Sequence, residues 1–175
     1  VSPAPPPSRP RSDEFDSDDE TRRRMSRIRR RDTRPEQALR RALHARGWRY
    51  FVDRPVRGVS RCRPDLLFPR LGVAVFVDGC FWHFCPPHTH LPRANAAYWQ
   101  AKLLANRQRD ARHDDELARA GWRVVRVWEH EPLETALAAV ETVLVAARVD
   151  LARRRGPAER GRADGPTPAR PRRAR

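Results

Sequence analysis

The run PDLLFPRLGVAVFVDG, residues 64–79, restricts the fold more than any other part of the chain. Residues 66–68 and 73–77 are apolar at every position instead of alternating with polar ones, and the PRLG between them carries the proline and glycine of a turn. Strands that are apolar on both sides need cover on both sides. The run therefore predicts two buried strands folded over residues 69–72, in a small central sheet flanked by helices.

The flanking segments supply those helices. DTRPEQALRRALHARG (32–47) reads as a helix with Thr33 as N-cap, Glu36 completing a capping box and Gly47 ending it. WRYFVDRPV alternates Trp48, Tyr50 and Val52, which predicts a strand. Residues 95–120 form a long polar helix closed by Gly121, and WRVVRVWE (122–129) is a further apolar strand. In residues 132–154, Leu133, Ala136, Leu137, Val140, Val143, Leu144 and Ala147 recur at helical spacing. The pattern is α/β. Residues 1–20 (rich in Pro, Ser and acids) and 153–175 (rich in Arg) lack the apolar content to form a core, so both are expected to be disordered tails around a domain at 21–152.

Charge points to a polyanion. The net charge is +15, but residues 1–20 contribute −4 and residues 153–175 contribute +7, leaving +12 on the domain itself. Such a field favours nucleic acid, although an arginine-rich composition bias would give the same count, since Lys102 is the only lysine. No apolar run is long enough to span a bilayer, the N-terminus lacks a signal-peptide core, and three cysteines make no disulfide framework. A soluble protein of a reducing, cytoplasmic compartment, with no membrane partner, is expected.

Chemistry concentrates in VDGCFWHFCPPH, residues 77–88. If the chain turns at 69–72, Asp65 lies across from about Phe76, and Asp78 sits near the same strand end. An aspartate beside a backbone carbonyl suits a hard divalent cation, which can activate water and stabilise charge on a phosphate. The plainer readings are a turn cap or arginine partner for Asp65, the helix cap for Glu36, and a surface role for His83. Cys80, Cys85 and His88, on a loop stiffened by Pro86 and Pro87, suit tetrahedral zinc. A fourth ligand would be His130, with His90 as the local rival. Cys62 reads as an ordinary small core or loop residue. Phe81 and Trp82, joined by Trp99, could wedge between base steps or simply pack in the core.

Together these residues resemble the very-short-patch repair (Vsr) family of DNA mismatch endonucleases. The likeness runs through MSRIRRRDTRPEQALRRAL, CRPDLLFPRLGVAVFVDGCFWHFCPPH, YWQAKLLANRQRD and GWRVVRVWE, about residues 25–130. It implies a restriction-endonuclease-like fold of the PD-(D/E)XK type with catalytic magnesium and structural zinc. It also implies a strand nick 5′ of the thymine in a T:G mismatch, the product of 5-methylcytosine deamination. Asp65 would hold magnesium with the Val77 carbonyl, His83 would be a catalytic imidazole acting through water, and Glu36 an active-site acid. Phe81, Trp82 and Trp99 would enter the DNA, and Cys80, Cys85, His88 and His130 would bind zinc. The implied partners are mismatched double-stranded DNA and mismatch-repair proteins, with the enzyme acting as a monomer on the nucleoid. Some members carry Thr-His where this chain has Val77-Asp78, so Asp78 either binds the metal directly or replaces a histidine behind it. Those members also order the zinc residues differently and have Cys where His130 stands. The rival readings are an endonuclease of this fold that cuts another DNA structure, and a zinc-braced DNA-binding module without catalysis.

Overall fold

A computed structural model of the chain describes residues 32–59, 61–93 and 95–155. The acidic tail at 1–20, the start of the expected domain at 21–31, and the basic tail from 156 onward lie outside the described residues. The elements are α1 (Arg34–Ala45), β1 (Phe51–Val52), β2 (Leu66–Phe68), β3 (Val73–Asp78), α2 (Ala96–Arg119), β4 (Arg123–Trp128) and α3 (Leu133–Arg155). They form a mixed α/β fold on one four-stranded sheet of order β1-β2-β3-β4. α3 continues to Arg155, past the expected domain end at 152. None of the described helices is long and apolar enough to cross a membrane.

The hairpin forms as its turn dictates. Leu71 and Gly72 donate to the carbonyls of Phe68 and Pro69 at 3.1 and 3.4 Å, and Gly72 takes a φ of 64°, which suits glycine. β2 then pairs antiparallel with β3, Leu66 opposite Val75 and Phe68 opposite Val73. β4 joins the other side of β3 in parallel, Val73 opposite Arg123 and Asp78 opposite Trp128. Parallel pairing requires a crossover, and α2 supplies it.

Side-chain alternation divides the core in two. Leu66, Phe68, Val73, Val75, Val125 and Val127 face one way, against Leu39 and Leu43 of α1 and Leu137, Val140 and Leu144 of α3. Leu67 and Ala74 face the other way, against Val56, Val59, Cys62 and Leu117. Each fully buried Leu or Val adds about 1.5–3 kcal/mol of hydrophobic stabilisation, which is why both faces of β2 and β3 had to be apolar. α2 buries only Leu103, Asn106 and Leu117 along its 24 residues, so the helix keeps most of its polar surface in water.

Two expected core positions are not buried. Val52 is 44% exposed because β1 is a two-residue edge strand and Asp53, at φ 49°, turns the chain away; Trp48 and Tyr50 pack on the core as the alternation predicts. Leu133 is 38% exposed at the first turn of α3, where the helix has not yet reached the sheet-covering stretch that begins at Ala136. The cap of α1 forms as expected, with Thr33 Oγ1 accepting from Glu36 N.

Candidate active site and metal centre

Three strand ends meet at one edge of the sheet. Asp65 immediately precedes β2, Asp78 closes β3, and the β3–β4 register carried two residues further brings His130 level with Cys80. Two bonds tie these ends together: Glu129 N donates to the Asp78 carbonyl at 3.0 Å, and Cys80 N donates to Glu129 Oε1 at 2.6 Å. An open cleft of about 970 Å³ lies beside them, with Glu36, Asp65, Val77, Asp78 and His83 in its wall.

The acids of the cleft differ in their surroundings. Asp65 Oδ2 accepts the Val77 N–H at 2.7 Å. Burial outweighs that bond, and with the nearby Glu36 and Asp78 charges it pushes the Asp65 carboxyl up to about 6. Glu36 is 4% exposed, and its oxygens accept from Asp32 N, Thr33 Oγ1 and Arg40 Nη2 at 2.9–3.0 Å. The helix cap and the cleft wall are thus the same residue. Asp78, also buried, accepts from Arg126 Nη1 at 2.7 and 3.0 Å. Burial raises its pKa, against the opposing pull of Arg126 and His83.

His83 Nδ1 lies 2.7 Å from Asp110 Oδ2 on α2 and 3.5 Å from Asp78 Oδ1. Burial alone would lower the imidazole pKa, but the bond to Asp110 and the two carboxylate charges raise it. Burial likewise acts against Asp110, whose pKa is nevertheless lowered by His83. Asp110 therefore remains ionised and accepts, which puts a proton on Nδ1 and leaves Nε2 as the other functional nitrogen.

Phe81 and Trp82 line the cleft, half-buried, with ring centroids 5.1 Å apart. Trp99, near the start of α2, completes an edge-to-face cluster at 5.4 Å from Phe81 and 6.3 Å from Trp82. Asn106 Nδ2 holds the Trp82 carbonyl at 3.1 Å. Arg61, Arg63, Lys102, Arg109 and Arg112 stand around the acids, so the cleft is cationic at its rim and anionic at its floor.

Beyond Gly79 the chain makes a tight loop, with Cys85 N donating to the Cys80 carbonyl at 2.9 Å. One ligand atom from each of Cys80, Cys85, His88 and His130 lies within 4.8 Å of the others. Cys80 Sγ is 3.0 Å from His130 Nδ1 and 3.9 Å from His88 Nδ1, while Cys85 Sγ is 3.7 and 3.6 Å from the same nitrogens. Burial, then Cys85, push the Cys80 thiol well up from its ordinary value, a penalty that metal binding to the thiolate would remove. The group could hold a metal ion, and His90 is not part of it. Cys62 sits in the core, its thiol pushed up to about 11 by burial.

The sequence reading missed Asp110, Asp114, Arg126 and Glu129. Arg126 had a visible signal, a charge flanked by valines on both sides in the strand WRVVRVWE; the two aspartates were indistinguishable from the other charges of a polar helix.

A family model described as DNA mismatch endonuclease Vsr matches residues 12–87. The type II nicking enzyme V.NaeI of Lentzea aerocolonigenes is 50% identical over 125 residues, 70% of this chain and 75% of that protein. V.XorIIP, a type II nicking enzyme of Xanthomonas oryzae pv. oryzae, is 41% identical over 108 residues (61% and 77%). The DNA mismatch endonuclease Vsr of Escherichia coli K12 is 34% identical over 111 residues (60% and 66%). A basic-rimmed acidic cleft on a mixed α/β sheet, with such relatives, defines a DNA endonuclease. The chain belongs to the Vsr family.

Proposed function

We propose that this enzyme nicks DNA 5′ of the thymine in a T:G mismatch left by 5-methylcytosine deamination, by magnesium-dependent phosphodiester hydrolysis on a PD-(D/E)XK-type fold. The observation that carries the proposal is the convergence of Asp65, His83 and the Phe81–Trp82 pair in one cleft.

The residues fit both metals. Asp65 is a half-buried carboxylate whose charge is disfavoured by its surroundings, tied to Val77, the residue whose carbonyl is the proposed second ligand. Bound magnesium would stabilise charge on the phosphate and make water a better nucleophile. Around the loop, bonds of 2.0–2.3 Å in a tetrahedron would put ligand atoms roughly 3.3–3.8 Å apart; the Cys85 spacings of 3.7 and 3.6 Å fall in that range, and the Cys80 spacings of 3.0 and 3.9 Å lie just outside it, within reach of small side-chain adjustments. Cys80, Cys85, His88 and His130 would hold zinc as a closed brace with no position for substrate.

The remaining work falls to side chains. Asp110 fixes the His83 tautomer, so that Nε2 can take a proton from water at the scissile phosphate. The rim arginines neutralise the flanking phosphates and give affinity without sequence preference. Phe81, Trp82 and Trp99 insert beside the mismatch, where a wobble pair costs less to unstack than a matched one. Their edge-to-face packing on one another restrains them.

The test is nicking of end-labelled duplexes differing only in one T:G pair, with and without magnesium. The wild type should nick the mismatched duplex alone, and only with the cation. Asp65→Asn should abolish nicking and keep duplex binding. Equal cleavage of the matched duplex, or full activity in the Asp65 variant, would refute the proposal.

A further inference from the structure

Arg126 lies at the middle of a charged chain that no other feature of the site explains. It projects from β4 between β3 and α2, and all three guanidinium nitrogens donate to carboxylates. Nη1 reaches both oxygens of Asp78 at 2.7 and 3.0 Å; Nε and Nη2 reach Asp114 of α2, each at 2.9 Å at the closer oxygen. The flat face of the group lies 4.5 Å from the Phe76 ring centroid. With its edge used by two aspartates and its face by an aromatic ring, the guanidinium cannot swing out to a phosphate. It is a fixed internal charge.

That charge decides what Asp78 does. Two aspartates stand at the same strand end, and either could be read as a cation ligand. Asp65 receives a neutral backbone N–H. Asp78 is 5% exposed and has a full positive charge against both of its oxygens. A dication sharing those oxygens would stand within a few ångströms of the guanidinium, in a site with little water to screen the repulsion.

We propose that Arg126 is a positioning residue that commits Asp78 to an ion pair and withholds it from the divalent cation, leaving Asp65 as the one strand-end aspartate that binds the metal. Committed in this way, Asp78 keeps Oδ1 3.5 Å from His83 Nδ1, the same nitrogen that Asp110 contacts at 2.7 Å. The chain Asp114–Arg126–Asp78 thus places a second carboxylate charge beside the imidazole, whose Nδ1 hydrogen bond goes to Asp110.

The proposal rests on the magnesium reading given above, and manganese binding separates the two. Mn²⁺ affinity is measured by electron paramagnetic resonance on the full-length, zinc-loaded protein and on folded variants checked by circular dichroism. Asp65→Asn should weaken Mn²⁺ binding at least tenfold. Asp78→Asn, which keeps the Arg126–Asp114 pair, should change it less than threefold. Arg126→Met, which releases Asp78, should bind Mn²⁺ at least threefold more tightly while kcat for nicking falls and KM for DNA stays within twofold. A purely structural arginine would not raise metal affinity when removed. If Asp78→Asn loses as much affinity as Asp65→Asn, or if folded Arg126→Met does not bind more tightly, the proposal is overturned with the magnesium site intact. If Asp65→Asn binds like the wild type, the magnesium reading itself fails and the role of Arg126 falls with it.

Discussion

The 2.7 Å contact between His83 and Asp110 makes the fold's stability depend on pH in a calculable direction. Burial opposes both charges, yet Asp110 is lowered and His83 raised, so each gains more from its charged neighbours, their mutual hydrogen bond first, than it loses to burial. The contribution of Asp110 is present above its ordinary value and is lost as pH falls through the lowered one. That of His83 is present below its ordinary value and is lost as pH rises through the raised one. The two overlap between about pH 4 and 6.5. Asp110→Asn should therefore lower stability most in that window, by about 1 kcal/mol for a partly exposed charge-assisted bond, and less at pH 8.5. Thermal melts across the range check this; a difference independent of pH would mean that the pair is not ionised. Asp78 is the instructive contrast, because its carboxylate is already matched by Arg126 and has less to gain from the imidazole.

The strands and helices show where sequence pattern carries structural information and where it stops. Capping and periodicity placed α1, the β2–β3 hairpin, α2, β4 and α3, because each signal is local and each element buries the face its pattern marks. Val52 and Leu133 carried the same signal, yet a pattern cannot tell an edge strand or a first helical turn from the interior. The Cys/His group divides similarly. Cys80, Cys85 and His88 are legible from one loop, whereas the choice between His130 and His90 depends on the parallel β3–β4 register, which pairs residues fifty positions apart. That register makes the centre a clasp between two strand ends. Cys85→Ser, or chelation of zinc from the wild type, should consequently lower Tm by several degrees and diminish nicking through disorder of the Phe81–Trp82 loop. Zinc analysis should give about one ion per chain, and the serine variant should give less. A zinc-free protein that melts and nicks normally would contradict the brace.

On the proposed mechanism, charge and catalysis are carried by different residues across the molecule. The Asp65 and His83 cluster lies on the cleft floor, and the basic side chains lie around it or in the sequence beyond Arg155. Removing 156–175, which takes away six arginines and two acids, should weaken matched and mismatched duplexes alike and reduce the salt dependence of binding, leaving the T:G preference unchanged. Filter-binding titrations at two salt concentrations would show this; a selective loss of mismatch binding would mean that the tail reads the lesion. The parallel pairing of β3 with β4 also sets a timetable. A chain is made from its N-terminus, and when synthesis has reached Gly121 the Asp65 hairpin, Cys80 and His83 are already present. Arg126, Glu129 and His130 are still to come. β4 and the turn after it thus supply the partner for Asp78, the anchor for the Cys80 backbone and the fourth member of the Cys/His group together. Until β4 and that turn are made, the Asp65 hairpin and the Cys80 loop lack the groups that hold them in place.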